Sequence, residues 1–406
     1  MTATPLLSEL TARAKAKAHA RPAPASCPCG AAVLADRPDA TVVRHADTVA
    51  KAHAPGTPLA DLTLRLSTAT RLPGILLAPL TPAPVELHGR LVTFWPYGTP
   101  VDPDDPDAAP WEAAGTLLAH LHRSPVSTPT PMPTPPAPCV PSLLSSAPTS
   151  ASALTPVESV GRALSFPGPA PDPASTTVAS VSPALSSPNP APDTASAALP
   201  PTPRKPTLLS PAPTPPATAH SLPPMRGPAK AAQAIARLTT TAATHPAAQP
   251  VLHAWRTLPA WARAEAPMPD SGTLCHGDLH LGQLVRHPAP DGPWLLIDVD
   301  DLGTGVPAWD LARPAAWYAC GLLPPDEWTR FLTAYRAAGG PAVPADGDPW
   351  PALDVPARAL TVQTAARAIT KATAENRDLD EIEMSMIDAC ARMSSLPPEL
   401  APDFPK

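Results

Sequence analysis

The stretch Leu274–Gly303, LCHGDLHLGQLVRHPAPDGPWLLIDVDDLG, concentrates histidines and acidic side chains in a chain that is otherwise rich in alanine and proline. It places Asp278 directly after His276-Gly277, and a second aspartate, Asp298, at the end of the apolar run Trp294–Ile297. An Asp-Gly pair between the two is typical of a hairpin turn. The stretch therefore predicts a loop, a strand, a turn and a second strand, with both carboxylates directed into one space.

These residue types suit phosphoryl transfer. An aspartate held after His-Gly, here Asp278, can accept a proton from a hydroxyl and orient that hydroxyl for in-line attack. Carboxylate oxygen is the ligand that Mg²⁺ prefers, which suits Asp298, and the amide oxygen of Gln283 could share the metal. Upstream, Lys51 lies near the end of an alternating strand, TVAKAH, where an ammonium could pair with nucleotide phosphates. Base, amide, metal carboxylate and strand lysine together make a phosphoryl-transfer set.

The composition limits the class of protein. The chain has 406 residues, and its net charge of −6 is spread without a basic block. Since nucleic-acid surfaces need clustered Lys and Arg, we expect no nucleic-acid partner. The N-terminus lacks the apolar core of a signal peptide, and no window has the long apolar run of a membrane helix. We therefore expect a cytoplasmic protein without a membrane partner.

The cysteines predict a reducing compartment. Six are scattered along the chain, at Cys27, Cys29, Cys139, Cys275, Cys320 and Cys390. A CxC pair without a matching pair downstream gives little support to a metal site. We therefore expect reduced thiols and no structural disulfide.

The composition changes abruptly between residues 124 and 228. The segment STPTPMPTPPAPCVPSLLSSAPTSASALTP (127–156) is typical, and much of the total of 66 prolines lies here. Such a segment lacks the large apolar side chains that offset ordering entropy, so we predict a disordered, locally polyproline-like insertion. Its PxxP-type stretches could bind SH3-like partners, although a spacer without a specific partner is the simpler interpretation.

Hydrophobic periodicity predicts short strands before the insertion and mainly helices after it. The predicted strands are Ala31–Leu34, Thr41–His45, Thr48–His53, Val85–Leu87 and Leu91–Tyr97. The predicted helices are Asp61–Thr70, Trp111–His122, Ala229–Thr244, Val251–Ala264, Asp310–Gly321, Pro325–Ala338 and a run from Ala357 to Met393. The order predicts an α+β, two-lobed architecture with a small N-terminal β-sheet lobe, a larger helical C-terminal lobe and a cleft at the connector.

The predicted domain boundaries follow from these elements. They are an N-terminal extension with room for a short helix (1–26), the N-terminal lobe (27–98), the connector with the first helix of the C-terminal lobe (99–123), the Pro-rich insertion (124–228), the C-terminal lobe with the catalytic loop and metal-binding hairpin (229–396), and a tail (397–406).

Three motifs resemble the aminoglycoside phosphotransferase family, small-molecule kinases of protein-kinase-like fold. They are the octet HGDLHLGQ (276–283), the strand end Ile297-Asp298, and Asp310-Leu311-Ala312 at a helix start. The octet is especially similar to that of the bacterial maltokinases, which belong to the same superfamily. The resemblance covers roughly residues 31–123 and 229–393 and leaves the insertion out.

The resemblance implies a phosphotransferase that uses ATP (or GTP) and Mg²⁺ and phosphorylates a hydroxyl of an aminoglycoside, a sugar or an amino alcohol. The resemblance implies that Asp278 is catalytic, with His276 in the same loop, and that Gln283 and Asp298 bind the metal. It implies that Asp310 braces the loop and that Lys51 binds phosphate. Adenine would bind to the connector residues Trp95, Pro96, Tyr97 and Gly98.

Three features depart from the family's pattern. Gln283 stands where asparagine is usual. The helix glutamate that usually pairs with the lysine is missing, since Asp61 is the one acidic residue between Lys51 and Glu86. No Gly-rich phosphate loop is visible, because the turn at residues 35–39 carries two aspartates instead.

Two other functions remain open from the sequence. His276, Asp278 and His280, with Asp298 and Asp300, could form a dinuclear metal site for hydrolysis. A degenerate kinase fold could also serve as a binding module without catalysis. Outside these sets, we expect Asp300 and Asp301 to be polar turn residues. We expect the aromatic residues Trp309, Trp317, Trp328 and Tyr335 to be core rather than a sugar-stacking wall. The acidic run at residues 375–388 is expected to be a solvated helix face rather than a site for cationic substrates.

Overall fold

The computed structural model describes residues 5–19, 27–126, 221–269 and 272–394. Most of the predicted insertion, residues 127–220, lies outside the described residues, and so does the predicted tail, 397–406. The described residues on both sides of this gap belong to one compact unit. None of its helices combines the length and hydropathy needed to cross a membrane.

A five-stranded antiparallel sheet forms the N-terminal lobe. The strand order is β1-β2-β3-β5-β4. The strands are β1 (Ala31–Arg37), β2 (Ala40–His45), β3 (Thr48–Ala52), β4 (Val85–Leu87) and β5 (Arg90–Pro96). In β3 the residues alternate between buried and half-buried positions, as the alternating sequence predicts. All five strands were predicted from their sequence pattern, with ends that differ by no more than three residues.

An N-terminal helix, α1 (Pro5–Ala18), packs on this sheet. Leu10 and Ala14 are completely buried in a cluster that includes Val43 and Phe94. The short helix anticipated in the extension is therefore a part of the lobe's hydrophobic core. Because burying a leucine side chain stabilises a fold by about 1.5–3 kcal/mol, α1 contributes to the stability of the sheet.

The stretch Leu274–Gly303 lies on two small sheets next to the five-stranded one. After α2 (Leu59–Arg71), strand β6 (Thr99–Pro100) pairs with β8 (Leu284–Arg286), which pairs with β9 (Trp294–Leu296). Strand β7 (Thr273–Cys275) pairs with β10 (Gly303–Gly305). The predicted hairpin is thus present, and the residues between β9 and β10 carry the second group of aspartates.

Most of the remaining secondary structure in the described chain is α-helical. They are α3 (Trp111–Arg123), α4 (Gly227–Thr241), α5 (Ala248–Thr257), α6 (Ala312–Ala319), α7 (Pro325–Ala337), α8 (Trp350–Glu375) and α9 (Glu381–Ser394). A core cluster runs from α2 and α3 through the small sheets to α7 and α8. The α+β, two-lobed fold class is confirmed.

Three predicted boundaries are wrong. The insertion does not extend to residue 228, because Leu222 and Met225 are buried and the Met225 N–H donates to the carbonyl of Thr304 (2.9 Å). The helix predicted to reach Ala264 ends at Thr257, just before Pro259. The long final run is two helices, because Asn376 adopts a left-handed conformation (φ 50°) that ends α8.

Candidate active site

Asp310 holds the His-Gly-Asp turn through hydrogen bonds to its backbone. Its side chain is fully buried. Oδ2 accepts hydrogen bonds from the N–H of His276 (2.6 Å) and from Nε2–H of His122 (3.0 Å), and Oδ1 accepts from the N–H of Gly277 (2.7 Å). Charge-assisted bonds of this kind are about twice as strong as neutral ones, so this carboxylate fixes the turn that carries Asp278.

Gly277 allows the His-Gly-Asp turn to pack closely against the backbone of Asp301. Gly277 has φ +86°, and a Cβ placed there would lie 2.5 Å from the carbonyl oxygen of Asp301. Any side chain would therefore push the turn away from the loop that follows β9.

His276 joins the two loops. Its Nε2–H donates to the carbonyl of Ile297 (2.8 Å), the residue before Asp298. The imidazole is completely buried. The resemblance implies a catalytic role for His276 beside Asp278, whereas this ring, with no exposure and bonded to the backbone, is placed to position the loop.

Gln283 and Asp298 lie side by side. The carbonyl of Gln283 accepts the N–H of Ile297 (2.8 Å), and Asp298 follows in a left-handed conformation (φ 64°) that turns the chain sharply after β9. Within the described parts of the chain, Oδ2 of Asp298 and the amide of Gln283 have no hydrogen-bond partner. The side chain of Asp298 is 30% exposed. These oxygen donors fit Mg²⁺, which binds through one or two carboxylates and keeps several waters.

Lys51 reaches from β3 to this loop. Its Nζ lies 2.7 Å from Oδ1 of Asp298 and 3.0 Å from Oδ2 of Asp300. Burial by itself lowers the pKa of Lys51, but the two carboxylates outweigh burial and raise that pKa above its ordinary value. The two aspartates thus take the place of the missing helix glutamate.

Asp300 is not the polar turn residue that we expected. Besides Lys51, its carboxylate accepts Nδ1–H of His53 (2.7 Å), and His53 Nε2 bonds to the hydroxyl of Thr93 on β5 (2.8 Å). Burial raises the pKa of Asp300, but Lys51 and His53 outweigh it, so the pKa lies well below its ordinary value. Asp300 therefore links the N-terminal sheet to the loop after β9 as an ionised group.

Asp278 is held between two cations. Nζ of Lys230 donates to Oδ2 (2.7 Å), and the guanidinium of Arg313 donates to Oδ1 (2.6 Å). Burial raises the pKa of Asp278, but these positive charges outweigh burial and keep the pKa well below its ordinary value. No sequence pattern identified Lys230 as a partner of Asp278. The one available signal for Arg313 is its place directly after Asp310-Leu311-Ala312.

Lys230 also binds Asp301. The distance from Nζ to Oδ2 is 2.5 Å, while Oδ1 of Asp301 is buried and has no hydrogen-bond partner among the described residues, with the guanidinium of Arg226 3.8 Å away. Burial dominates here and raises the pKa of Asp301. Asp301 is therefore a buried ion-pair residue and not the turn residue that we expected. A small recess opens beside this network, and its lining includes Lys230, Asp278, Arg313, Trp309 and Gln363.

The connector differs from the expected adenine site. Both backbone groups of Tyr97 are engaged, because its N–H donates to the carbonyl of Asp47 (2.8 Å) and its carbonyl accepts Nδ1–H of His287 (3.0 Å). Trp95 is buried, and Gly98 packs closely on Val285. Pro96 lacks an N–H altogether. For adenine to accept a hydrogen bond from the N–H of Tyr97, the turn that contains Asp47 has to move.

The dinuclear hydrolase site does not fit. His276 points to a backbone carbonyl, and Asp278 is neutralised by two cations. Among the described residues, the groups able to share one metal ion through His, Cys, Asp or Glu do not include this set.

Comparison with known proteins shows the family of this chain. Residues 31–354 match the phosphotransferase enzyme family. The chain is similar to a choline/ethanolamine kinase family protein from Mesorhizobium loti (14% identity, TM-score 0.45, 97% of each chain covered). It is also similar to a macrolide 2'-phosphotransferase from Brachybacterium faecium (15% identity, TM-score 0.39, 91% of this chain and 92% of that one). A third similarity is to a spectinomycin phosphotransferase in complex with ADP and spectinomycin (10% identity, TM-score 0.41, 90% and 89%). A comparison with curated protein sequences gives no match.

Proposed function

Because the chain belongs to the phosphotransferase enzyme family, we propose that it transfers the terminal phosphoryl group of ATP, or of GTP, to a hydroxyl of a small molecule. One observation carries the proposal: His276 bonds the turn of Asp278 to the residue before Asp298, while Lys51 bonds to Asp298 itself. Base, metal carboxylate and phosphate-binding lysine thus converge, and this convergence is what phosphoryl transfer requires.

The chain's own residues divide the work. Lys51 steadies the nucleotide phosphates, and Asp298 with Gln283 would hold Mg²⁺, which neutralises charge on the phosphates when bound. Lys51 is paired with Asp298 and Asp300. Phosphate oxygens can replace a carboxylate as partners of Lys51, so nucleotide binding exchanges these ion pairs and does not leave a charge uncompensated.

Asp278 orients the acceptor. Its low pKa keeps the carboxylate ionised at neutral pH, so it can accept a hydrogen bond from the attacking hydroxyl. The transition state of phosphoryl transfer is loose, and the protein contributes mainly positioning and electrostatic stabilisation. A weak base is sufficient for this role, because the hydroxyl proton moves to Asp278 as the new P–O bond forms. Lys230 and Arg313 fix the direction of the carboxylate.

The recess beside Asp278 favours an uncharged acceptor. Lys230 and Arg313 balance the carboxylates of Asp278 and Asp301, so this network has no excess negative charge to attract a polycation. Of the three acceptor classes, a sugar-like hydroxyl therefore fits this recess better than an aminoglycoside or a cationic amino alcohol.

A second candidate is a kinase fold that binds a small ligand without catalysis. The paired backbone of Tyr97 favours it, since the expected contacts with adenine are already made within the chain.

Nucleotide binding separates the two candidates. We expect MgATP or MgGTP to raise the melting temperature of the wild type, and we expect the rise to be lost with EDTA and in Asp298→Ala. Transfer is then followed by nucleotide consumption across a panel of neutral sugars, amino alcohols and aminoglycosides. Asp278→Asn is expected to keep the thermal shift and to lose turnover by roughly 10²–10⁴-fold. Wild-type turnover in Asp278→Asn would refute the assignment of the base, and a wild type without any nucleotide shift favours the second candidate.

A further inference from the structure

Four potential metal ligands meet at the edge of the N-terminal sheet, away from the candidate active site. His19 follows α1, Cys27 and Cys29 precede β1, and His45 ends β2. One ligand atom from each residue lies within 4.8 Å of all the others. The two histidines and the CxC pair come from separate segments, so packing of α1 on the sheet is what brings them together.

Two of the three distances among His19, Cys27 and His45 match tetrahedral zinc, and the third is shorter. With Zn–S of about 2.3 Å and Zn–N of about 2.05 Å, tetrahedral ligands lie about 3.3 Å apart for two nitrogens and about 3.6 Å apart for sulfur and nitrogen. Nε2 of His19 and Nε2 of His45 are 3.2 Å apart, and Sγ of Cys27 lies 3.6 Å from Nε2 of His45 and 3.0 Å from Nε2 of His19. Two thiolates and two imidazoles are the donors that select zinc.

The backbone around Cys27 suits a metal-bound sulfur. The N–H of Cys29 donates to Sγ of Cys27 (3.3 Å), and such a bond stabilises a metal-bound sulfur. Without a metal, the two Nε2 atoms and the sulfur point at one another, and a single thiol proton and the ring protons must satisfy all three contacts. One cation at their centre satisfies them together.

We propose that His19, Cys27, Cys29 and His45 bind one zinc ion that fastens α1 to the N-terminal sheet. The ligand His45 pairs with Ala31 on β1 and with Thr48 on β3, so the ion ties the helix to three strands. His45 also leads directly into the turn whose Asp47 carbonyl accepts the N–H of Tyr97. The zinc ion therefore holds the turn that borders the connector.

The test uses the full-length protein without nucleotide or acceptor, so its result is independent of phosphoryl transfer. Protein expressed with zinc is desalted, and its metal content is measured by mass spectrometry. We expect one zinc per chain in the wild type and background zinc in Cys27→Ser/Cys29→Ser. Cys320→Ser, which changes a cysteine outside the cluster, is the control and keeps the zinc.

A second measurement covers the case in which the double variant does not fold. Wild-type protein is stripped with a chelator and titrated with Co²⁺. Binding to this site gives thiolate-to-metal charge transfer and the intense d–d bands of tetrahedral Co²⁺, saturating at one equivalent and bleached by Zn²⁺. A folded wild type without bound zinc and without these bands overturns the proposal, as does zinc retained in full by the double variant.

Discussion

The double pairing of Lys230 is open to a direct test by Lys230→Met. Methionine keeps most of the length and apolar stem of lysine but removes the charge. Asp278 then keeps Arg313 at 2.6 Å, whereas the remaining ion-pair partner of Asp301 within the described residues is Arg226 at 3.8 Å. The variant therefore leaves one poorly compensated carboxylate whose side chain is 10% exposed.

The expected loss has a ceiling, because Asp301 can bind a proton instead of remaining charged. Protonating a carboxyl with an ordinary pKa of about 3.9 costs roughly 4 kcal/mol at pH 7 and roughly 1.5 kcal/mol at pH 5. Removing Lys230 also relieves the cost of its own burial, so we expect a loss of about 2–4 kcal/mol at pH 7. At pH 5 the loss falls to at most about 1.5 kcal/mol.

The loss of stability in Lys230→Met depends on pH because the folded and unfolded chains bind protons differently. In the variant, the pKa of folded Asp301, which burial already raises in the wild type, rises further above that of the unfolded chain. The stability of the variant relative to the wild type therefore improves as the pH falls. The lowered pKa of Asp278 contributes stability that is present above its unfolded pKa and is lost at lower pH. This contribution is constant between pH 5 and 7, so the change over that range reports on Asp301.

Urea unfolding at both pH values, followed by tryptophan fluorescence, measures the difference. The control is Lys371→Met, which removes an exposed lysine and is expected to change the free energy of unfolding by less than about 0.5 kcal/mol at either pH. An equal loss in Lys230→Met at pH 5 and pH 7, or a loss within the range of the control at pH 7, would show that Asp301 is not held by Lys230.

Three further changes test the supports of the site and the fold by urea unfolding. Gly277→Ala combines a positive φ with a clash against a backbone oxygen, so we expect it to lower the free energy of unfolding by about 2–5 kcal/mol. The control Gly74→Ala, with φ +84° and open space around it, is expected to lower it by about 1–2 kcal/mol, and similar losses in the two variants would contradict the clash. Asp310→Asn replaces an acceptor by a donor that faces a backbone N–H, so we expect a loss of about 2–4 kcal/mol with reduced turnover, and unchanged values would rule out the bracing role. Leu10→Ala is expected to cost about 2–5 kcal/mol and the exposed Leu59→Ala less than about 0.5 kcal/mol, and equal effects would place α1 outside the core.

The elements and site residues that the sequence predicted correctly lie in patterns formed by neighbouring residues. The strands of the N-terminal sheet follow from alternation, and the hairpin after the catalytic turn follows from two apolar runs with an Asp-Gly turn between them. Gly277 and Asp298 stand at chain reversals, where sequence patterns are informative. Gln283 and Asp298 are brought together because their strands are neighbours in one short hairpin.

The residues that the sequence missed have partners far along the chain. Lys230 is 48 residues from Asp278, and Asp300 is 247 residues from His53. No periodicity or turn pattern records such a pair, because its distance depends on how a helix packs against a loop. The proposed zinc ligands His19 and His45 are a further example, since α1 must first dock on the sheet.

The amino-acid sequence by itself determined the α+β class, the family and the loops that carry Asp278 and Asp298, because turns, strands and composition are properties of neighbouring residues. Tertiary structure alone decided which cations hold these carboxylates, that His276 is a buried brace, and that the backbone of Tyr97 is already paired. Each of these contacts joins segments that meet only when the hydrophobic core closes, and burial then turns their charges into strong, specific ion pairs.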